Sequence, residues 1–245
     1  MSTILEIKNL GKKFGKEPIL RDINLALKKQ EVLSLLGSSG SGKTTLLKII
    51  AGLDTQNEGH IFLNGKNIDN EKPQKRNIVY LYQEALLFPH LNAFENIAFG
   101  LRLKKETISA IREKVNKMLE NLDMSKHAKK MPNQLSGGQR QRISFGRAMV
   151  IKPELLLLDE PFGALDAITR TKMQELFKQM AELMQLSALF VTHDLKEAIV
   201  MGSQIGKIQK GKLVQYKSKR HFFEDEFSGV KQEMDFWAQI HSNDR

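Results

Sequence analysis

Residues 37–45 read Gly37-Ser38-Ser39-Gly40-Ser41-Gly42-Lys43-Thr44-Thr45 and fit the spacing G-x-x-x-x-G-K-[ST]. Small residues let backbone N–H groups close on phosphate oxygens, and the start of a following helix adds the positive end of its dipole. Lys43 is long enough to reach β- and γ-phosphates, and the Thr44 hydroxyl is an oxygen of the kind Mg²⁺ takes. A glycine-rich turn that binds nothing is the alternative. The apolar strand pattern before the loop and the helical pattern after it argue against that.

An acidic pair lies far downstream. Leu155-Leu156-Leu157-Leu158-Asp159-Glu160 places two carboxylates at the carboxyl end of an apolar strand, where open α/β sheets bind ligands. Asp159 is placed to hold the shell of a magnesium ion, and Glu160 to orient or deprotonate an attacking water. Alone, such a pair reads equally well as two exposed acids; with the phosphate loop upstream, the hydrolytic reading is the stronger. A third motif, Leu135-Ser136-Gly137-Gly138-Gln139, opens a helix. Ser with two glycines at a helix start is either a plain N-cap or a second anion site. The chain already carries a complete phosphate loop, so a second site calls for a phosphate from elsewhere. A head-to-tail dimer, each copy offering this motif to nucleotide held by the other, supplies one and closes with two equal sites.

A frame of strands and helices must hold these motifs. Alternating or apolar runs predict strands at residues 4–9, 19–27, 31–36, 59–63 and 78–82, with a helix at 46–51 that Gly52 can end. From about 94 to 131 the pattern turns helical and rich in Lys and Glu. There Ile108, Ile111, Val115, Met118, Leu119 and Leu122 share one amphipathic face. A further helix is expected at 137–150. The four leucines at 155–158 suit a parallel strand covered on both faces. A helix at 169–184, a strand at 188–192, a short helix at 195–201 and a strand pair at 205–208 and 213–216 follow. This alternation predicts an α/β sheet with a helical insertion. The segment 219–245, with Phe222, Phe223, Phe227, Phe236 and Trp237, reads as a docked helical tail.

Composition excludes several classes. Apolar periodic segments run through most of the 245 residues, so a disordered chain is excluded, and without cysteine so is a disulfide scaffold. No apolar run approaches the roughly 20 residues of a membrane span. No basic-then-apolar leader opens the chain, and a reducing cytoplasmic setting is the simplest expectation. The net charge of +10 suits nucleic acid, an anionic membrane face, or simply a lysine-rich solvated surface.

GSSGSGKTT, LSGGQ, LLLLDEP and VTHD, in that order, resemble the ATP-binding subunit of an ABC transporter of the bacterial importer type. The resemblance runs from about residue 3 to about residue 217. LSGGQ is its most specific element, because it separates the family from other phosphate-loop ATPases. It implies an α/β fold with a P-loop NTPase core built on a parallel sheet, an N-terminal antiparallel β subdomain and an inserted helical subdomain. The ATPase domain would cover 1–218, with the helical subdomain at about 84–150 and the tail at 219–245.

The resemblance also implies ATP and Mg²⁺ as cofactors. Phe14 falls where the family stacks an aromatic on adenine, usually a tyrosine. Gly37, Ser38, Ser39, Gly40, Ser41, Gly42, Lys43, Thr44 and Thr45 would hold the phosphates. Gln83 matches the glutamine that senses Mg²⁺ and the γ-phosphate, so Thr44, Gln83 and Asp159 form the metal set. His193 matches the histidine that contacts the γ-phosphate; with Lys43 and Glu160 it completes the catalytic set. Leu135, Ser136, Gly137, Gly138 and Gln139 would face the nucleotide of the second subunit, and Asp166 belongs to the loop crossing that interface. Phe88-Pro89-His90 falls where the family builds a groove for a permease's coupling helix.

The partners implied are a second ATP-binding subunit, most simply an identical copy, a separate transmembrane permease, and a solute-binding protein. Nucleic acid is not expected among them. The expected location is peripheral, on the cytoplasmic face of the inner membrane. EPFGALDAITR resembles importers of osmoprotectants and of nitrate, sulfonate and taurine. KRNIVYLYQEALLFPHLNAFENIAFGL resembles the iron, polyamine and sulfate group, many of whose members carry a further C-terminal regulatory domain. Gly202-Ser203-Gln204 departs from the aspartate-containing pattern usual there. A competing reading is a soluble ABC ATPase acting on nucleic acid or the ribosome, which the charge keeps open. The lack of a long heptad insertion and the single ATPase unit count against it. A small-molecule kinase would leave LSGGQ and His193 unexplained.

Overall fold

The computed structural model describes residues 2–233 and 235; Phe236 and Trp237 of the expected tail lie outside the described residues. The chain forms two units: one holds residues up to Ile50, then Asp54–Asp69, then those from Leu189 onward, and the other holds Ala51–Leu53 and Asn70–Ala188.

In the first unit, β1 (Thr3–Phe14) pairs antiparallel with β2 (Glu17–Lys28) on one edge and with β4 (Glu58–Leu63) on the other. β4 in turn pairs with the short β5 (Lys66–Asn67). β1 runs well past the expected end at residue 9. Asn9 takes φ 50°, and the register with β2 slips between Ile7 and Leu10, so the period-two pattern breaks while the pairing continues. A second set of neighbouring strands runs in the order β10 (Lys212–Gln215), β9 (Gln204–Gln209), β3 (Val32–Leu36) and β8 (Ala188–Thr192), which is in this unit from Leu189 on. β3 and β9 are parallel. β9 and β10 form an antiparallel hairpin through Lys210 and Gly211, both at positive φ as a tight hairpin turn requires.

Helices α1 (Lys43–Ala51), α6 (Leu195–Met201) and α7 (Lys219–Glu224) belong to the same unit, and Gly52 ends α1 at φ 77°. Of the described tail aromatics, only Phe222 is buried. It packs edge-on to Tyr216, with Leu36, Ala198, Ile205 and Val230 around it, whereas Phe223 and Phe227 are exposed. The described part of the tail holds a six-residue helix followed by turns, with helical residues again at 230–233.

In the second unit, β6 (Ile78–Leu81) and β7 (Leu155–Asp159) pair in parallel, with Tyr80 opposite Leu157. Leu155 to Leu158 are all fully buried, as their unbroken apolar run requires. The expected helical stretch resolves into α2 (Ala93–Leu103), α3 (Ile108–Asn121) and two short 3-10 turns, Ser125–His127 and Pro132–Gln134. Lys105 and Asp123, both at positive φ, interrupt it, and Thr107 caps the restart. Ile108 is a correction: as the first residue of α3 it is 82% exposed, while Ile111, Val115, Met118, Leu119 and Leu122 are buried. Helices α4 (Gly137–Met149) and α5 (Ala167–Met184) complete the unit. Phe145 of α4 sits 5.8 Å from the rings of both Phe162 and Phe177. Fully burying one such ring contributes about 1.5–3 kcal/mol. A Cβ on Gly146 would lie 2.6 Å from Leu122, so glycine lets the helical layer close. Among the described residues no helix is long and apolar enough to cross a membrane.

Candidate functional site

The phosphate loop leaves β3 and enters α1 as its spacing predicts. Gly40 and Gly42 take φ 76° and 102°, which glycine adopts without strain. A Cβ on Gly37 would lie 2.5 Å from the Ile208 carbonyl oxygen, and one on Gly42 would lie 2.7 Å from Leu20. Packing thus requires glycine at both ends of the loop, and at Gly42 the backbone conformation favours it as well. Lys43 is buried, and its Nζ donates to the carbonyl oxygens of Gly37 and Ser38 at 2.7 and 3.0 Å. The ammonium is folded back inside its own loop, drawn together at the point where phosphates are expected. The Ser41 Oγ is buried with no hydrogen-bond partner among the described residues. Thr44 is exposed at the first turn of α1.

The end of β8 is tied to this loop: the Gly37 N–H donates to the Thr192 carbonyl at 3.2 Å. The next residue, His193, is exposed. Its turn is braced from beneath. Thr192 Oγ1 donates to the Glu197 carboxylate at 2.5 Å and accepts from the Asp194 N–H at 3.0 Å, and Asp194 caps α6 through the Glu197 N–H. The D-x-x-E spacing of Asp194 and Glu197 is a readable cap signature. Phe14 is 53% exposed at the end of β1, with the Lys12 ammonium 4.7 Å from its ring centre. Lys12 is itself buried and bonds the Asp54 carboxylate at 2.6 Å and the Thr55 carbonyl at 2.7 Å.

In the second unit, Asp159 ends β7 and Glu160 follows it, both half-buried. Tyr80 Oη donates to Asp159 Oδ2 at 2.6 Å. Burial, and then that bond to a carboxylate, push the phenol's pKa well above its ordinary value. Glu160 takes φ 46°, a left-handed conformation that costs a non-glycine residue about 1 kcal/mol or more. Its carbonyl accepts from the Gly163 N–H at 3.1 Å. A Cβ at Gly163 would lie 2.8 Å from Gln83 Nε2, so the bare glycine gives the exposed Gln83 its room. Gln141 Nε2 donates to the buried carbonyl of Pro161 at 2.9 Å, linking α4 to the loop after β7.

At the third motif, Ser136 caps α4 in a reciprocal box. Its Oγ accepts from the Gln139 N–H at 3.3 Å, and Gln139 Oε1 accepts from the Ser136 N–H at 3.0 Å. The two glycines differ. A Cβ on Gly138 would strike Thr169 at 2.7 Å, whereas one on Gly137 would meet nothing nearer than Arg140 Nη2 at 4.0 Å. Gly138 is explained by packing inside the unit; Gly137 faces open space at the helix start. Asp166 caps α5 through the Thr169 N–H at 3.0 Å, a bond that also holds its carboxyl below the ordinary range.

Three further residues carry no sequence signal. Tyr80 meets Asp159 only because β6 and β7 are paired in parallel. Asn96, fully buried, bonds the Phe88 N–H and the carbonyls of Phe88, Leu91 and Asn92. Arg147 donates to the Leu86 carbonyl and stacks 5.0 Å over Phe88. Together Asn96 and Arg147 shape the loop that contains Phe88-Pro89-His90. The unusual Gly202-Ser203-Gln204 also gains an account: Ser203 bonds Val32 through both backbone and hydroxyl, and Gln204 bonds Glu31.

The donor chemistry fits the cofactors. Small-residue backbone with a lysine is a cradle for phosphates. Among the described residues no three His, Cys, Asp or Glu side chains gather into a preformed metal site. Mg²⁺ in nucleotide sites takes only one or two carboxylates beside phosphate oxygens and water; Thr44 in the first unit and Asp159 in the second each carry an oxygen of the kind it takes.

Comparison with known proteins agrees with this chemistry. The domain family described as ABC transporter matches residues 20–163. The spermidine/putrescine import ATP-binding protein PotA of Clostridium novyi is 42% identical over 239 residues, covering 95% of this chain and 69% of that protein. The PotA of Haemophilus influenzae is 42% identical over 222 residues, with 91% and 60% covered. The sulfate/thiosulfate import ATP-binding protein CysA of Bacillus cereus is 41% identical over 225 residues, with 90% and 63% covered. The chain thus spans 60 to 69% of the length of these relatives. Of the two resemblances drawn from its local stretches, the polyamine and sulfate group is the one these relatives match. By the family match and by these relatives, the chain belongs to the ABC transporter family of ATP-binding proteins.

Proposed function

We propose that this chain hydrolyses ATP as one half of a head-to-tail dimer and so powers import of a solute through a separate permease. The domain reading is an ATPase domain at 1–218 with a helical subdomain at about 84–150 and a tail beyond. The observation that carries the proposal is the open space at Gly137. Packing accounts for Gly138 but not for Gly137, and the capped start of α4 offers N–H groups to an anion from outside the unit. The nucleotide of a second copy is such an anion.

Each residue then has a task. Phe14 stacks on adenine, exchanging the ammonium over its ring for a base. Residues 37–45 wrap the phosphates, and Lys43 turns from its loop carbonyls to the β- and γ-phosphates. Thr44, Gln83 and Asp159 are assigned to Mg²⁺, which when bound neutralises charge on the phosphate oxygens. Tyr80 holds the Asp159 carboxylate in one orientation. Glu160, held in its strained turn, accepts a proton from the attacking water. His193, braced by Thr192 and Glu197, contacts the γ-phosphate. Ser136 and Gly137 of one copy close on the nucleotide of the other, and Asp166 lies in the loop at that interface. Loss of the γ-phosphate removes the bridging contacts and the dimer opens. A permease docked at the Phe88-Pro89-His90 loop takes up that motion, which puts the chain at the cytoplasmic face of the inner membrane. A solute-binding protein would deliver cargo on the other side.

A gentle-detergent pull-down from native membranes, read by mass spectrometry, tests the assembly. Recovery of a multi-span permease is the expected result. Recovery of ribosomal or DNA-bound proteins without a permease would overturn it in favour of a soluble ATPase using the +10 charge.

A further inference from the structure

His127, on the 3-10 turn Ser125–His127, stands 3.2 Å from Gln139, with its Nε2 facing the amide Nε2. Which atoms meet there is decided by the capping box. Gln139 Oε1 is committed to the Ser136 N–H at 3.0 Å, so the amide turns its NH₂ toward the imidazole. An NH₂ only donates. His127 must therefore present a lone pair at Nε2 and carry its hydrogen on Nδ1. The opposite tautomer would set two donors against each other. His127 Nδ1 is buried with no partner among the described residues. The ring also lines a polar cavity of about 250 Å³, with Ser136, Gln139, Arg142 and Lys172 on its wall. The His127 backbone is fixed in turn: its N–H donates to Met124 and its carbonyl accepts from Lys130.

We infer that His127 is a positioning residue for the LSGGQ segment. By accepting from Gln139 it holds the amide in the orientation that bonds the Ser136 N–H, and so keeps the start of α4 shaped for the partner's nucleotide. The role in nucleotide capture rests on the dimer proposed above; the effect on the box does not. His127→Phe keeps a ring but removes the acceptor. His127→Gln returns an acceptor at a similar reach.

Two readouts separate the two ideas. The first is hydrogen exchange at the Ser136 amide in nucleotide-free protein. Losing one net hydrogen bond should speed exchange about fivefold in His127→Phe, with His127→Gln within twofold of the parent. The second is the ATP concentration for half-maximal dimerisation by gel filtration in a Glu160→Gln background. It should rise about fivefold with His127→Phe, recover with His127→Gln, and show no further rise when His127→Phe is added to Gln139→Ala. Unchanged exchange in His127→Phe, or a His127→Gln variant as fast as His127→Phe, overturns the inference. Exchange that follows the acceptor while the parent stays monomeric with ATP bound leaves the inference standing and removes the dimer.

Discussion

Lys12 is the residue whose replacement separates the energetics of the first unit most cleanly. Its side chain is 8% exposed, and its ammonium bonds Asp54 at 2.6 Å and the Thr55 carbonyl at 2.7 Å while lying 4.7 Å from the centre of the Phe14 ring. Lys12→Met keeps the apolar stem and removes the charge. Each charge-assisted bond is worth about 1.5–3 kcal/mol net, and an exposed cation–π contact about 0.5–1 kcal/mol. Against this, the ammonium no longer has to be desolvated. Asp54 stays 26% exposed and keeps a bond from the Thr55 N–H, so it is not stranded. The expected loss is about 2 kcal/mol, or about 0.7 M in the urea midpoint at a slope of about 3 kcal/mol per molar.

The pH dependence has a definite sign. Desolvation raises the Asp54 pKa, but the Lys12 bond, the Thr55 N–H and the charges of Lys12 and Lys48 outweigh it, and the result lies below the ordinary 3.8. A depressed carboxylate adds stability that is present above its unfolded pKa and lost as pH falls through the folded one. The gap between wild type and Lys12→Met should therefore be constant from pH 5 to 8 by urea unfolding followed with circular dichroism, and narrow below about pH 4. A midpoint within 0.2 M of wild type at neutral pH, or a gap that widens toward acid, would refute the reasoning.

Two further outcomes concern the turn after β7. Tyr80→Phe removes the bond to Asp159 and should lower kcat about tenfold at saturating Mg-ATP while lowering the unfolding free energy by no more than about 1 kcal/mol; an unchanged kcat would show that Asp159 needs no such restraint. Glu160→Gly relieves the left-handed strain, so it should lower ATP turnover at least about a hundredfold yet unfold no earlier than wild type; a lower melting temperature would contradict the strain.

The order and spacing of the motifs were enough to identify the chemistry. Glycines at 37, 40 and 42, lysine at 43 and the acids after four leucines carry their meaning locally, because phosphate cradles and buried strands are built from neighbouring residues. Most elements were legible for the same reason, as amphipathic or apolar periods. What failed locally failed for identifiable causes: the bulge at Asn9 hid the length of β1, and positive φ at Lys105 and Asp123 divided a single helical pattern. Ile108 shares the period of the α3 face without sharing its burial. Only tertiary structure decided which side chains steady the motifs. Tyr80 reaches Asp159 through the register of two parallel strands, Asn96 and Arg147 converge on the Phe88 loop, and His127 meets Gln139 across a turn. No periodicity encodes these meetings, since each depends on where separate elements pack rather than on any residue's neighbours in the chain.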